Sequence, residues 1–472
     1  MQSLQEDEKG GLSTEDRESI PSVPPQEGNG ETTEGKSVVA SLRRVFSWRN
    51  YVVYLLTSWT FSALASMAGF VNLYLRDLGW DYILIGAVAS TTGVVAALAR
   101  LGGGYIGDNY DRKTLSVVAI AMSALYYLLV GITDAFIIVF ISLNIYALTN
   151  LAKGGSTAFI MDNIPKSDSG FALSLFNAGK SLGVITLLVF SALIPIFGFG
   201  QSFRILYLFT GISLLICAFI RDRLLLPGEG NGAREKATSL LRDFLSENAS
   251  AARNLFSIVP GVFLVVIIDA LSDDMFHFGA LIYTNEIIGV SINGITIIML
   301  ASLLLVGPLV LKVGRISDRV GIRRAGIAVY SLMPVSVLLL ILASYVTFWG
   351  PTELYVLAES MWPGLGAIFT VPFVAIVLKY VNDLLWWVVL ITMIQKSLPR
   401  TDTAKMLACF WFTVYVVRAI GPIIAGLVFQ YSSPVFLFVI VFFMNLLILG
   451  LIHRGGLNIN GGKEPAVESE ES

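Results

Sequence analysis

One apolar stretch of the sequence is unusually rich in acidic residues: IIDALSDDMFHFGALIYTNE, residues 267–286. In a helix, Asp269, Asp273 and His277 are four residues apart and share one face, while Asp274 is turned by about 100°. Carboxylates crowded in a low-dielectric site repel each other, so we expect at least one to bind a proton near neutral pH. His277 is a second titrating group.

Three chemistries fit this acidic stretch. The first is proton coupling, in which Asp269, Asp273, Asp274 and His277 exchange protons with the solvent. The second is a divalent cation site, because carboxylate and imidazole ligands recur there at helical spacing. The third is structural pairing with basic residues elsewhere in the chain. No resident metal or cofactor is predicted.

Five other ionisable residues interrupt apolar runs and are predicted to bind substrate: Lys153, Lys180, Lys379, Asp383 and Arg418. An ionisable side chain at mid-bilayer costs about 2.5 to 3.5 kcal/mol, so one that is retained usually faces a polar path or a partner. Lys180 and Arg418 either clamp an anionic substrate or pair with the acids near residue 270. Lys379 and Asp383, four residues apart, can neutralise each other.

These residues lie in predicted membrane-spanning helices. The chain has 472 residues, of which 55% are hydrophobic and 14% charged, and apolar runs of about 20 residues recur along it. Within residues 345–397, the segment ELYVLAESMWPG is read as an outer loop or as an extra short interfacial helix. The twelve helices are predicted at 51–75, 82–106, 115–132, 135–162, 169–195, 203–220, 255–284, 290–313, 323–347, 364–396, 404–429 and 434–453.

The pattern divides the chain into five parts. Residues 1–48, rich in Glu, Ser, Gly and Pro, are predicted to be a disordered cytosolic tail. Six helices in 49–221 and six in 255–453 are separated by a cytosolic linker, 222–254, with a possible amphipathic helix. Residues 454–472 form an acidic cytosolic tail. Lys and Arg are concentrated in loops on one side, which predicts that both termini are cytosolic.

Several functional classes are excluded. The net charge of -2 and the absence of a basic patch with interleaved aromatics argue against nucleic-acid binding. The sequence has no phosphate-binding loop and no Ser-His-Asp set or metal-thiolate cluster, so neither an ATP-driven pump nor an enzyme is predicted.

Two loops carry the same Gly-Asp-Arg pattern at equivalent places in the two halves. GYIGDNYDRK follows predicted helix 2, and GRISDRVGIRR follows predicted helix 8. Similarly, IPKSDSGFAL precedes helix 5 and LPRTDTAKML precedes helix 11. Two matched pairs indicate an internal repeat. The loop residues concerned are Gly104, Asp108 and Arg112, and Gly314, Asp318, Arg319 and Arg323.

The repeated loops, their positions and the helix count resemble the major facilitator superfamily over residues 50–453. Asp111 stands where that family usually has Gly in the first loop, and Ile322 is an insertion in the second. The resemblance implies an all-α membrane protein of twelve transmembrane helices in two pseudo-symmetric six-helix bundles. It also implies alternating access along a central path to which helices 4, 5, 7, 10 and 11 contribute.

The resemblance further implies a gating role for the two loops. Asp108 would engage the cytosolic end of helix 11, and Arg112 would pair with Asp162 at the end of helix 4. A carboxylate near a helix N-terminus is stabilised by the helix dipole, and such a contact can break when the bundles separate. The alternative is that these charges only set the topology.

We therefore expect a secondary transporter in the cell membrane that moves a small anionic organic solute with protons, as a monomer in the lipid bilayer. Three alternatives stay open: a proton-antiport exporter of lipophilic compounds, a metal or cation transporter using the helix 7 acids, and a non-transporting receptor or scaffold. The exporter hypothesis is less favoured, because helix 5 lacks the Gly-Pro-rich signature of the family's drug exporters.

Overall fold

The computed structural model describes residues 43–109, 111–152, 172, 175–176, 178–226, 260–305, 322–397 and 403–455. Seven helices in these ranges are long and apolar enough to cross a membrane, and three shorter apolar helices accompany them. The two further long helices are Pro260–Glu286 and Val371–Ser397. Together they make twelve, the number predicted.

The twelve helices are labelled in chain order. They are α1 Arg49–Asp77, α2 Tyr82–Asn109, α3 Arg112–Ile132, α4 Phe136–Leu148, α5 Gly183–Phe197 and α6 Phe199–Leu224, then α7 Pro260–Glu286, α8 Ile292–Leu305, α9 Ile322–Tyr330 with Leu332–Leu342, α10 Val371–Ser397, α11 Thr403–Arg418 with Gly421–Tyr431, and α12 Pro434–His453. No strand occurs in the described ranges; an isolated antiparallel bridge joins Phe348 to Thr370.

The connection between α9 and α10 contains a separate short helix, Thr352–Met361, the second of the two predicted alternatives. Gly364 then adopts a left-handed conformation with φ of 89°, and a single 3-10 turn, Leu365–Phe369, leads into α10. The tenth span therefore begins at Val371 rather than at residue 364, because Thr370 just before it is extended, with φ of -100° and ψ of 149°.

Two further features were not predicted. Val45, which lies within the predicted tail, is fully buried. Helix α11 is interrupted between Arg418 and Gly421, just before Pro422, whose ring and missing N–H disrupt helical hydrogen bonding. The interruption lies directly beside Arg418.

Close approach of α2 and α11 holds the first and second halves of the chain together. Gly86 and Gly93 on α2 face Pro422 and Ala419, and a Cβ on Gly93 would lie 2.9 Å from the Cβ of Ala419. Small residues let backbones come this near. Within the second half, α7 packs on α11 and α12, and α9 packs on α10. These contacts bring the charged residues of α7, α10 and α11 together.

Candidate functional site

Asp273 is the centre of a charged cluster formed by three helices. Its carboxylate accepts hydrogen bonds from Lys379 Nζ on α10 at 2.6 Å and from Arg418 Nη2 on α11 at 3.1 Å. His277, one turn along α7, places Nε2 3.3 Å from the same carboxylate. The predicted common face of Asp273 and His277 thus points at α10 and α11, and three partners share the charge of Asp273.

Lys379 is inaccessible to solvent, with 0% of its side chain exposed. It donates a second hydrogen bond to Asp383, which lies four residues along α10. The predicted ion pair between Lys379 and Asp383 within α10 is therefore present. Lys379 also pairs with Asp273, which connects α10 to α7. Asp383 also lies 3.3 Å from His277 Nε2, which closes the ring of contacts between the two helices.

Asp274 points away from this ring and pairs with Arg418. The guanidinium donates to Asp274 Oδ1 from Nε at 3.0 Å and from Nη2 at 2.7 Å. Arg418 keeps 36% of its side chain exposed. Of the two alternatives left open for Arg418, pairing with the acids of α7 is the one this conformation contains.

Asp269 has neutral rather than charged hydrogen-bond donors. Tyr330 on α9 donates from its hydroxyl at 2.7 Å, and Trp386 on α10 donates from Nε1 at 2.8 Å. The Tyr330 hydroxyl also lies 3.0 Å from Asn445 Oδ1, which accepts a further bond from Ser272. Sequence reasoning missed Tyr330 and Asn445; the one available signal was an amide in the otherwise apolar run of α12.

Three cavities meet at this cluster. The largest, of about 480 Å³, is lined by residues of α1 to α4 and by Asp274, Tyr415 and Arg418. A second, of about 270 Å³, is lined by Asp274, His277 and Tyr380 together with residues of α1 and α2. A third, of about 80 Å³, is lined by Asp269, Asp273, Trp386, Trp387 and Arg418. Helices from both halves of the chain therefore enclose the space beside the charges.

The carboxylates of the cluster outnumber its permanent cations. Its four aspartates are Asp269, Asp273, Asp274 and Asp383, and its two permanent cations are Lys379 and Arg418. His277 can add one positive charge when protonated. An excess of negative charge in a low-dielectric site is relieved by binding protons or an external cation.

A ligand set for a metal ion is also present. One ligand atom from each of Asp273, His277 and Asp383 lies within 4.8 Å of the other two. Lys379 hydrogen-bonds to both carboxylates of this set, so an ion would have to displace its ammonium group. The residue types suit a divalent cation such as Mn²⁺ or Zn²⁺.

A second polar cluster lies where α1 turns into α2, at the end of α7 away from Pro260. Arg76 Nε donates to Glu286 at 2.8 Å, and Tyr82 OH donates to the other carboxylate oxygen at 2.5 Å. Arg76 also donates to the carbonyl oxygen of Trp80 at 2.7 Å. This cluster, the Arg76–Tyr82–Glu286 triad, joins the two halves of the chain, and no sequence motif marked it.

Of the remaining predicted site residues, Arg112 is described with its side chain and the others are not. Arg112 begins α3, and Asp111 caps it by accepting from the backbone of Thr114. Gly104, Asp108, Lys180 and Arg323 lie in described backbone without described side chains, and Lys153, Asp162, Gly314, Asp318 and Arg319 lie outside the described residues.

Twelve apolar helices with a charged cluster and cavities among them define an integral membrane protein. The chain belongs to the Major Facilitator Superfamily, whose family model matches residues 50–384. It is therefore a membrane transporter and not an enzyme, which confirms the predicted fold and family.

The chain is also similar to individual transporters. It is 22% identical over 177 residues to the Probable galactarate/D-glucarate transporter GudP of Bacillus subtilis (strain 168), a match that spans 36% of this chain and 38% of that protein.

Solved structures share the fold. A POT family transporter in complex with 5-aminolevulinic acid has a TM-score of 0.66 at 12% identity, covering 87% of this chain and 96% of its own. The nucleoside transporter NupG has a TM-score of 0.61 at 14% identity, covering 86% of this chain and 98% of its own. A D-xylose-proton symporter has a TM-score of 0.59 at 15% identity, covering 85% of this chain and 96% of its own.

Proposed function

We propose that this protein is a proton-coupled secondary transporter of a small organic anion, working by alternating access. The observation that carries the proposal is the cluster of four aspartates and two cations, two members of which, Asp274 and Arg418, line the largest of the three cavities. Proton binding to an aspartate releases a cation from its ion pair, and the released cation can then bind an anion. Uptake of a proton and of a solute are thereby linked.

Arg418 is the group that binds the anion in this scheme. Its planar guanidinium suits a carboxylate, and it lines the 480 Å³ cavity with a partly exposed side chain. The similarity to a transporter named for two sugar acids is consistent with an anionic solute. Lys180 and Lys153 remain proposed substrate-binding residues beside Arg418.

Alternating access would require the two halves to part at each end in turn. The Arg76–Tyr82–Glu286 triad closes one end in this conformation. At the other end we propose the two repeated loops as the gate, with both termini cytosolic and the protein in the cell membrane. The proposed domains stay 49–221 and 255–453, joined by the linker 222–254.

Transport of a divalent cation is the second candidate function, and the proximity of Asp273, His277 and Asp383 favours it. The ammonium of Lys379, which hydrogen-bonds to both carboxylates, opposes it.

Purified protein in liposomes loaded with the pH-sensitive dye pyranine distinguishes the two candidates. Sodium salts of lactate, gluconate, succinate and galactarate, or MnCl₂, are added outside. We expect acidification of the lumen with at least one organic anion, because proton and anion enter together. Acidification by none of the anions, or proton movement driven only by Mn²⁺, would overturn the proposed function.

A further inference from the structure

A fourth cavity, of about 350 Å³, lies within the first half of the chain. Its wall includes Tyr74 and Leu78 at the end of α1, Gly131 at the end of α3, and Gln201 and Arg204 in the first turns of α6. None of the residues that line it lines the three cavities beside the charged cluster. Its volume falls in the range of about 300 to 1,000 Å³ that is typical of small-molecule sites.

Arg204 brings a positive charge to this cavity. Its Nε donates to the carbonyl oxygen of Gly131 at 3.3 Å, and its Nη2 donates to that of Ile132 at 2.6 Å. These carbonyls belong to the last turn of α3, where the helix itself supplies no donor and its dipole favours a cation. Among the described residues, Nη1 has no hydrogen-bond acceptor and the guanidinium has no carboxylate partner. Arg204 can therefore donate to a ligand while it caps α3.

The cavity also has a buried hydroxyl without a partner. Tyr74 is 1% exposed, and its ring stacks on Phe203 with 4.3 Å between the ring centroids. No described residue hydrogen-bonds to the Tyr74 hydroxyl. The charged groups near enough to act on this hydroxyl are Arg204, Asp134 and Asp77. Because buried polar groups are nearly always hydrogen-bonded, the hydroxyl indicates that an acceptor occupies the cavity beside Arg204.

A carboxylate lies about one helical turn from Arg204. Asp77 Oδ2 is so close to Gly200 that a Cβ on that glycine would collide with it. Gly200 precedes Arg204 by four residues and shares its face of α6, at a separation of about 5.4 Å along the helix. Asp77 is exposed and has no ion pair with a described residue. The spacing suits a ligand whose anionic and cationic groups are joined by a short linker.

The surface beside the cavity has the character of a lipid contact. Ile212 continues the face of Ile205 and Leu208 along α6 and is 54% exposed. On α3, Ile132 is 61% exposed and Leu125 is 43% exposed. Exposed aliphatic side chains of a membrane-spanning helix are matched by lipid tails, which are equally apolar. The acyl chains of a lipid whose headgroup fills the cavity would cover this surface, and a free zwitterion would not.

We propose that this cavity binds the headgroup of a phosphatidylethanolamine lipid. The phosphate accepts hydrogen bonds from Arg204 Nη1 and from the Tyr74 hydroxyl, and the ammonium donates to Asp77. Guanidinium and hydroxyl donors suit phosphate oxygens, and an ammonium with three N–H donors suits a carboxylate. A choline headgroup has no N–H donor, and a glycerol headgroup has no positive charge. The inference does not depend on the proposed transport activity.

The binding test uses the full-length protein, stripped of lipid in detergent. Short-chain phosphatidylethanolamine, phosphatidylcholine, phosphatidylglycerol or free phosphoethanolamine is added, and native mass spectrometry and thermal unfolding measure binding. We expect phosphatidylethanolamine to bind about 10-fold more tightly than the other two lipids, the effect of one hydrogen bond to a charged group. Equal affinities for the three lipids would overturn the headgroup assignment. Free phosphoethanolamine that binds as tightly as the lipid would overturn the lipid source.

Three substitutions test the residues. Arg204→Gln keeps a donor for the carbonyls that end α3 but removes the charge, and should weaken phosphatidylethanolamine binding by about 10-fold or more. Tyr74→Phe should weaken it by about 2- to 10-fold and leave the lipid-free protein as stable as the wild type, because the lost hydroxyl has no partner there. Asp77→Asn should remove the preference for phosphatidylethanolamine over phosphatidylcholine.

Arg223→Ala is the matched control, since it removes an exposed arginine from the other end of α6. It should bind phosphatidylethanolamine as the wild type does. If Arg204→Gln does not fold, Tyr74→Phe and Asp77→Asn still decide the question. Wild-type lipid affinity in these two variants would mean that the cavity contains only water, and would refute the site whatever the transport assays show.

Discussion

Arg76 on α1 and Glu286 on α7 are 210 residues apart in sequence, and their side chains meet at 2.8 Å. Tyr82 at the start of α2 donates to the same carboxylate, so the contact includes three helices and both halves of the chain. The Arg76–Glu286 contact lies at the opposite end of α7 from Pro260, away from the charged cluster. A contact of this kind stabilises one of the two conformations that alternating access requires.

Breaking the triad should favour opening at that end. The two side chains are about a quarter exposed, 25% for Arg76 and 28% for Glu286. A partly exposed ion pair contributes about 0.2 to 1 kcal/mol, so Arg76→Ala should raise the open population about 1.4- to 5-fold. The measurement is the labelling rate of Ala68→Cys, in the wall of both large cavities, by an impermeant maleimide after Cys217 and Cys409 are replaced by Ser.

Arg223→Ala is the matched control for this experiment, because Arg223 lies 4.0 Å from the exposed side chain of Asp222, away from the triad. Equal labelling rates for the two arginine variants would show that the Arg76–Tyr82–Glu286 triad does not hold that end closed.

Removing Lys379 should destabilise the protein. Lys379→Met leaves Asp273 and Asp383 without their shared cation in a buried site, at a cost of about 3 to 5 kcal/mol. The double variant Lys379→Met with Asp383→Leu removes one of those charges too and should recover part of the loss. Denaturation midpoints in detergent measure both. A double variant less stable than the single one would contradict the role of Lys379 as the shared partner of Asp273 and Asp383.

The close contact of α2 and α11 should not tolerate a side chain at Gly86. A Cβ there would lie 2.5 Å from the carbonyl oxygen of Pro422, so Gly86→Ala must push the helices apart. We expect a loss of roughly 1 to 3 kcal/mol, typical of overpacking, and faster labelling of Ala68→Cys. Gly450→Ala is the control, since a Cβ at Gly450 meets nothing within 4 Å. Identical stability of the two variants would refute the contact.

The neutral donors to Asp269 should matter for stability. Trp386→Phe removes the Nε1 donor and leaves a buried carboxylate oxygen without that partner, a loss of about 1 to 3 kcal/mol. Trp387→Phe, at an exposed neighbour whose indole lies at a tilt against Trp411, serves as the control and should change stability by less than about 0.5 kcal/mol. Unfolding in detergent, followed by near-ultraviolet circular dichroism, measures both; a larger loss for Trp387→Phe would contradict the assignment.

The sequence could predict the helices because apolar runs and their interruptions are local properties. Helices α7 and α12 lie where the sequence placed them, and the short helix at Thr352–Met361 was one of two stated alternatives. Boundaries were missed where backbone conformation mattered, as before α10, whose start is delayed by a 3-10 turn and the extended Thr370. The Pro363-Gly364 pair marks a turn in the sequence, but it does not show how far beyond that turn the helix begins.

The candidate site divides in the same way. The acidic face of α7 and the charged residues of α10 and α11 are visible in the sequence, because an ionisable residue in an apolar run is costly and therefore conspicuous. Which cation meets which acid is not visible. Arg418 could have faced the cavity alone or Asp274, and the interruption before Pro422 together with the approach of α7 to α11 decided that it meets Asp274.

The sequence by itself determined that this chain is a twelve-helix membrane protein with charges in five of its helices. Solvation explains this, since transfer of each segment into lipid depends on its own residues. The tertiary structure alone decided that, among the described residues, Asp273 has three charged partners and Asp274 has one, and that Arg76 reaches Glu286 across the two halves. Pairing depends on distances of a few ångströms between segments far apart in sequence, and those distances are set by how the helices pack.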